Sequence, residues 1–237
     1  MNRSKPLYHR RRFPGEIISH CVWLYFRFCL SYRDVEEIMA ERGNLVSYEA
    51  IRDWSQKFGG TYAKRLRSRA MRPGDRWHLD EVYLWINGEL QYLWRAVDQD
   101  GEVLDIIVQP RRNSRAAKKF FRKLLQRLQY VPRAIITDKL GSYAAAKAEV
   151  LPDVPHIQDK RANNRAENSH QPTRERERRM RGFKSAGHAQ RFLATFGVIA
   201  WFFRPGRHLL AARDYREVMR RRFTQWSEVV HPSFAGQ

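Results

Sequence analysis

Three acidic residues of this sequence lie at positions where a carboxylate could take part in chemistry. Asp80 is inside the segment RWHLDEVYLWI, whose aromatic and β-branched residues predict a β-strand. A charge buried there is costly unless another group compensates it, although an edge-strand acid paired with an arginine is an ordinary alternative. Asp138 follows the apolar segment AIIT, at the carboxyl end of a second predicted strand. Ligands of α/β sheets gather at such ends, but an aspartate that only caps the next helix is the commoner case.

The third acid, Glu167, is an isolated carboxylate in the strongly basic segment ANNRAENSHQPTRERERRMRGFKS. On a helix that starts at Asn163, residues three and seven positions further on share its side, namely His170 and Arg174. Pro172 is expected to kink this helix because it removes a backbone hydrogen bond. A simple salt bridge to a neighbouring basic residue is the alternative role for Glu167.

Taken together, the three acids match one chemical requirement. Phosphodiester cleavage or joining needs stabilisation of negative charge on the attacking and leaving oxygens, which two divalent cations about 4 Å apart can supply. Mg²⁺ prefers oxygen ligands, so a few carboxylates suffice, and a polyanionic substrate requires them to lie within a basic surface. Because side chains alternate across a strand, Glu81 is expected to point away from the face that carries Asp80. The site is therefore expected to use Asp80 without Glu81.

Composition favours nucleic acid as the partner. The chain has 237 residues and a net charge of +20, an excess that favours nucleic acid or an anionic membrane surface. Its longest apolar stretch, residues 17–30, is too short to span a bilayer, so no membrane segment is expected. The two cysteines, Cys21 and Cys29, form neither a disulfide framework nor a zinc signature. Reduced thiols fit a cytoplasmic protein.

The N-terminal region predicts an all-α helix-turn-helix domain over residues 1–70. Ser31 and Asp34 form a shortened capping box, and Gly43 is a plausible helix end. Ser47 then caps a helix that reaches Phe58. The positive charge favours placing this helix in the major groove of DNA, whereas a merely packed helical domain is about as compatible with the pattern. The predicted DNA-contacting residues of the helix are Ser47, Glu49, Arg52 and Lys57.

Residues 71–205 predict an α/β domain with a mixed sheet flanked by helices. Asn87-Gly88 is a strong hairpin signal between two strands, and a third strand completes an antiparallel meander. Helices and short strands then alternate along the chain. Residues 206–237 are expected to form a C-terminal helical tail. A solvated basic face is its simplest interpretation, and an extension that contacts DNA or another copy of the chain is the alternative.

Several motifs resemble those of the DDE transposases of bacterial insertion sequences, and within them the IS-six family. They are WHLDEVYLWINGELQYLWRAVDQDG, PRRNSRAAKKFF, TDKLGSY, NNRAENSH and RGFKS. They occur in the order that the family shows, and the resemblance extends from about residue 13 to residue 207. SYRDVEEIMAERG and the helix after it are similar to the helix-turn-helix of that family.

The resemblance implies a ribonuclease-H-like catalytic core that depends on Mg²⁺ or Mn²⁺, with two ions per active site. It implies Asp80, Asp138 and Glu167 as catalytic metal ligands and Arg174 as a contact to DNA near the cleaved phosphate; we add His170 as a further predicted DNA contact. The implied activity is cleavage at terminal inverted repeats and strand transfer into target DNA, typically replicative through cointegrates. Because two DNA ends must be brought together, a homodimer or higher oligomer on DNA is expected.

Other functions are compatible with parts of the pattern. A DNA-binding regulator or a catalytically inactive relative needs the helix-turn-helix and the charge but no acids. A metal-dependent nuclease would cut DNA without joining it. A basic RNA-binding scaffold needs none of the acid positions.

Overall fold

The computed structural model describes residues 7–69, 74–138, 140–159, 163–206 and 209–231, and the side chains of Arg165, Glu167 and Asn168 lie outside the described part. The helices are, in chain order, α1 (Gly15–Arg27), α2 (Tyr32–Glu41), α3 (Tyr48–Arg69), α4 (Ser114–Leu128), α5 (Gly141–Val150), α6 (Asn164–Ser169), α7 (Gln171–Arg179), α8 (Ala186–Phe202) and α9 (Ala212–Val230). The strands are β1 (Arg76–Ile86), β2 (Glu89–Val97), β3 (Val103–Gln109), β4 (Ala134–Thr137) and β5 (His156–Gln158).

The chain forms two compact units. The helical unit combines Met1–Arg69 with Thr195–Gln237, and the sheet unit comprises Ala70–Ala194. The division between the units falls within α8. The three-part division inferred from the sequence, with boundaries after residues 70 and 205, stays a prediction. No helix in the described part of the chain is long and apolar enough to cross a membrane.

In the helical unit, local signals set the ends of α2. The Ser31 hydroxyl accepts a hydrogen bond from the Asp34 amide at 3.1 Å, and the Asp34 carboxylate accepts one from the Ser31 amide at 2.8 Å. This reciprocal capping box satisfies two amides that the first turn of a helix leaves without partners. Gly43, with φ of +75°, adopts the left-handed conformation that follows the helix. Both ends therefore follow from short sequence patterns.

The next helix, α3, is longer than its sequence pattern predicts. We expected it to end at Phe58, but it continues through Gly59 and Gly60 to Arg69. A Cβ atom on Gly59 would lie 2.7 Å from the Phe26 ring, so glycine allows α1 and α3 to approach closely. The packing of α1 against α3 outweighs the helix cost of about 1 kcal/mol for a glycine.

The C-terminal helix α9 packs within the helical unit. Trp226, Val229 and Val230 of α9 are buried, and the Trp226 ring meets the Tyr62 ring edge-on at 5.3 Å. The Arg65 guanidinium donates a 2.8 Å hydrogen bond to the Val229 carbonyl. The predicted tail is thus a helix with one apolar face covered, and its arginines lie on the remaining surface.

The sheet unit has the strand order β3-β2-β1-β4-β5. Strands β1, β2 and β3 are antiparallel neighbours, whereas β4 runs parallel to β1, and β5 parallel to β4. Asn87 and Gly88, with φ of 52° and 80°, make the tight turn between β1 and β2. The predicted α/β class, with N-terminal helices followed by a mixed sheet and further helices, is confirmed.

The core of the sheet unit lies on one face of the sheet. Trp77, Leu79 and Trp94 pack there against the buried stripe of α4 and against Tyr143 of α5. The Trp94 and Tyr143 rings meet edge-on at 5.4 Å. Residues adjacent to these in the strands point to the opposite face, where α6 and α7 lie. Because the apolar residues occupy the first face, the residues between them in each strand must point to the second face.

Candidate active site

The candidate site lies where β4 ends beside β1. Leu79 is the last residue of β1 that pairs with β4, and its partner Thr137 is the last residue of β4. Asp80 follows the first of these residues and Asp138 follows the second. Strand register alone therefore places the two carboxylates side by side, just beyond the carboxyl end of β4.

Three carboxylates meet at this position. Oxygen atoms of Asp80, Glu81 and Asp138 all lie within 4.8 Å of one another. The Leu140 amide donates a 3.1 Å hydrogen bond to Asp138 Oδ1 and so fixes the orientation of that side chain. Oxygen donors at this spacing fit a hard divalent cation such as Mg²⁺ or Mn²⁺. The donor chemistry of the cluster is therefore compatible with the predicted cofactor.

The presence of Glu81 in the cluster corrects our expectation from strand alternation. Asp80 and Glu81 do leave β1 on opposite faces, but in the described residues no strand pairs with β1 beyond Leu79 on that side. Both side chains can therefore approach Asp138 across the free edge of β1. The alternation of side chains between the two faces therefore does not keep Asp80 and Glu81 apart at this uncovered edge of β1.

Glu81 is held differently from the two aspartates. Its side chain is only 1% exposed and forms an ion pair with Arg112, whose Nη2 also lies 3.8 Å from Asp138 Oδ2. Burial raises the pKa of Glu81 to about 7, against the opposing effects of the Tyr143 hydroxyl and Arg112. Arg112 thus balances the charge that Glu81 carries when it is ionised.

Behind Asp80 lies a buried basic cluster that the sequence patterns did not lead us to expect. Arg95 is 2% exposed, and its Nη2 donates a 2.7 Å hydrogen bond to the Thr173 hydroxyl. Its Nη1 donates to the Ser169 carbonyl. Burial lowers the pKa of Arg95 to about 10, whereas the nearby charge of Asp80 acts in the opposite direction. The cluster thereby ties β2 to the junction of α6 and α7.

The sequence does contain a signal for Arg95. The tight turn at Asn87-Gly88 sets the register of the hairpin, and that register places Arg95 directly opposite Asp80. Counting outward from the turn pairs these two residues on the basis of sequence position alone.

His170 is also part of this cluster. Its Nε2 atom lies 3.3 Å from Asp80 Oδ2, and its side chain is 7% exposed. Burial lowers the pKa of His170 to about 4, although Asp80 favours the protonated form. We predicted that His170 contacts DNA, but the structure leaves it little surface for such a contact. The imidazole ring instead lies beside the carboxylate of Asp80.

The helix that carries Glu167 is attached directly to β1. Asn163, just before α6, donates a 2.9 Å hydrogen bond from its side chain to the Leu79 carbonyl, next to Asp80. Glu167 belongs to α6, but its side chain lies outside the described residues. Its convergence with the aspartates therefore stays a prediction, supported by this anchoring of the helix.

The expected helix break occurs between α6 and α7. The first helix ends at Ser169, and Pro172 occupies the first turn of the second, where its missing amide costs little. Arg174 lies on α7 with its guanidinium carbon 4.8 Å from the centre of the Tyr83 ring and its Nη1 3.3 Å from Glu177. A third of its side chain remains exposed. Arg174 is therefore accessible to a ligand.

The remaining predicted DNA-contacting residues lie in the helical unit. Ser47 precedes α3, where its hydroxyl accepts a 3.3 Å hydrogen bond from the Ala50 amide. Ser47, Glu49, Arg52 and Lys57 are all exposed. Their surface is accessible to a ligand, and their role in DNA binding stays a prediction.

Comparisons with known proteins cover the residues of the candidate active site. The DDE domain of IS240-type transposases matches residues 74–205. The transposase for the insertion sequence-like element IS431mec of Staphylococcus aureus is 31% identical over 182 residues, which cover 74% of this chain and 80% of that protein. The Staphylococcus aureus transposase for the element IS257 in transposon Tn4003 is 30% identical over the same shares.

Among solved structures, a chain of the simian T-cell lymphotropic virus intasome in complex with the PP2A regulatory subunit B56 gamma aligns with a TM-score of 0.42 and 16% identity. The alignment covers 71% of this chain and 58% of that chain. The domain match over residues 74–205 includes the three clustered acids and the whole of α6.

Proposed function

The chain belongs to the DDE transposases of the IS240/IS6 family, and we propose that it cuts DNA at the terminal inverted repeats of an insertion sequence and joins the freed ends to target DNA. The observation that carries this proposal is the approach of Asp80 and Asp138 at the end of β4. A net charge of +20 supports the same conclusion, because the carboxylates must operate on a polyanion.

In this proposal Asp80, Asp138 and Glu167 hold two divalent cations. When bound, such a pair stabilises the attacking and leaving oxygens of an in-line displacement at phosphorus. The protein contributes rigidity: the Leu140 amide orients Asp138, and His170 of the buried cluster lies against the Asp80 carboxylate. Arg174 contacts a phosphate near the cleaved bond, as an exposed guanidinium at this position can.

We further propose that α3 enters the major groove of the terminal repeats. The exposed residues at its amino-terminal end, Ser47, Glu49, Arg52 and Lys57, then contact bases and phosphates. Joining two element ends to one target requires two active sites, so the active form is a homodimer or a larger oligomer on DNA. The reaction is replicative and yields cointegrates.

A strand-transfer assay tests this function. The purified chain is incubated with a duplex that carries the terminal repeat and with a supercoiled target plasmid. Mg²⁺ or Mn²⁺ is expected to support joined products, whereas Ca²⁺ or a chelator is expected to leave only bound DNA. A duplex of the same length with a scrambled repeat is the control. Cutting without joining would instead identify a nuclease, and binding without cutting would identify a regulator.

The environment of Glu81 leads to a separate prediction. Glu81→Gln is expected to reduce strand transfer less than ~10-fold, or about 1.4 kcal/mol, because Arg112 already balances this carboxylate. The measurement is the initial rate of joined-product formation at saturating Mn²⁺. Glu149→Gln, which alters another acid paired with basic residues, is the control. A loss as large as the ~1,000-fold expected for Asp138→Asn would show that Glu81 is itself a metal ligand.

A further inference from the structure

Two aromatic residues beside the acids are unusually exposed. Tyr83 and Trp85 of β1 are 56% and 59% exposed, whereas Leu84 and Ile86 between and after them are buried. Being two residues apart in a strand, the two rings project from the same face. We refer to them as the aromatic pair. A large apolar surface that is left open in this way indicates a binding surface.

The aromatic pair is held by a rigid hairpin. Asn87 and Gly88 form its tight turn, and the Asn87 side chain donates a 2.8 Å hydrogen bond to the Lys184 carbonyl. The strand register continues to the last pair of residues before the turn. Because both strands and the turn are fixed, the rings are presented without the entropy cost of ordering a loop.

The aromatic pair is also continuous with the candidate active site. Glu81 lies two residues before Tyr83 on the same face of β1 and belongs to the acid cluster. On the free edge of β1, the Arg174 guanidinium stacks on the Tyr83 ring at 4.8 Å. A carboxylate and two flat rings of one short stretch of β1 thus lie beside a cation of α7.

We infer that the aromatic pair binds an unpaired nucleobase of the DNA strand next to the scissile phosphate. This inference rests on the function proposed above. Residues two apart in a strand are separated by about 6.8 Å, roughly twice the thickness of a flat base. Bases stack on aromatic side chains independently of sequence, and a nearby guanidinium neutralises the attached phosphate.

The charges around the aromatic pair favour this ligand over an apolar protein surface. Burial of Tyr83 under aliphatic side chains would also desolvate the stacked Arg174 and the neighbouring acids, which is costly. A nucleobase covers the rings while its phosphate stays beside the cation. DNA is also the substrate that the neighbouring acids require.

The test compares DNA ends with and without an unpaired base. Fluorescence anisotropy in Ca²⁺ measures binding of three probes: a blunt terminal-repeat duplex, the same duplex with a three-thymidine 3′ overhang, and that overhang with abasic residues. Trp85→Ala is expected to weaken binding of the thymidine overhang roughly 10- to 100-fold. Binding of the blunt and abasic probes is expected to change less than about 2-fold, since those probes offer no base to the rings.

Val131→Ala, which removes another exposed apolar side chain of the sheet unit, is the control and is expected to bind all three probes normally. Trp85→Phe is expected to restore most of the overhang affinity. An equal loss on all probes, or no loss, would overturn the inference. So would a change in sedimenting mass of the DNA-free Trp85→Ala variant, which would assign the aromatic pair to a contact between copies. The wild-type strand-transfer assay tests the proposed function separately.

Discussion

Replacement of Asp138 by asparagine is expected to reduce strand cleavage and joining at least ~1,000-fold, equivalent to about 4 kcal/mol of transition-state stabilisation. Asparagine has the shape of aspartate and can still accept the hydrogen bond from the Leu140 amide. It lacks the negative charge that the proposed divalent cation would require from this position. The change therefore removes metal binding with little change in packing. Gel-based product analysis with labelled terminal-repeat DNA measures the loss.

Binding to the element end separates this effect from general damage. Mobility shifts with the same DNA are expected to match those of the wild type, because the residues proposed to recognise the repeat lie on α3 or directly before it. Asp153→Asn, which alters an exposed aspartate of the same unit, is expected to keep full activity. Strand transfer by Asp138→Asn at a rate near that of the wild type would refute the metal-dependent mechanism.

Arg95→Met is expected to lower the free energy of unfolding by about 3–5 kcal/mol. Methionine approximates the volume of the aliphatic part of arginine but offers no donors to Thr173 or to the Ser169 carbonyl. It also removes the buried positive charge near Asp80. The polar groups that remain would be buried without compensation. Urea denaturation followed by circular dichroism measures the change.

The region that Arg95→Met destabilises is as informative as the total loss of stability. Hydrogen exchange is expected to accelerate first at the amides of α6 and α7, because Arg95 ties their junction to β2. Arg115→Met removes an exposed arginine at the start of α4 and is expected to stay within about 0.5 kcal/mol of the wild type. If Arg95→Met is as stable as that control, then the buried cluster does not hold the two helices in place.

The features that could be predicted from the sequence depend on short-range signals. The capping box at Ser31, the turn at Asn87-Gly88 and the alternating meander each involve residues only a few positions apart, so their physics is contained in the local sequence. The sequence placed Asp80 inside one predicted strand and Asp138 at the end of another, and both strands are present. Their approach required only that those strands be parallel neighbours.

The features that were missed depend on contacts between distant segments. Continuation of α3 past Gly59 depends on a phenylalanine more than thirty positions earlier, and the apolar face of α9 is covered by α3. Inclusion of Glu81 depends on where β4 stops pairing with β1, which its own neighbours in the sequence do not reveal. Patterns that span one element cannot supply such information.

The discontinuous make-up of the helical unit affects the order in which a ribosome can release folded parts of this chain. The sheet unit is continuous, from Ala70 to Ala194, so it can complete its core while later residues are still being synthesised. Helices α1 to α3 must wait for α9, whose Trp226 covers Tyr62. The nascent polypeptide is therefore expected to possess a finished sheet unit before the helical unit, which we propose recognises the element ends, is complete.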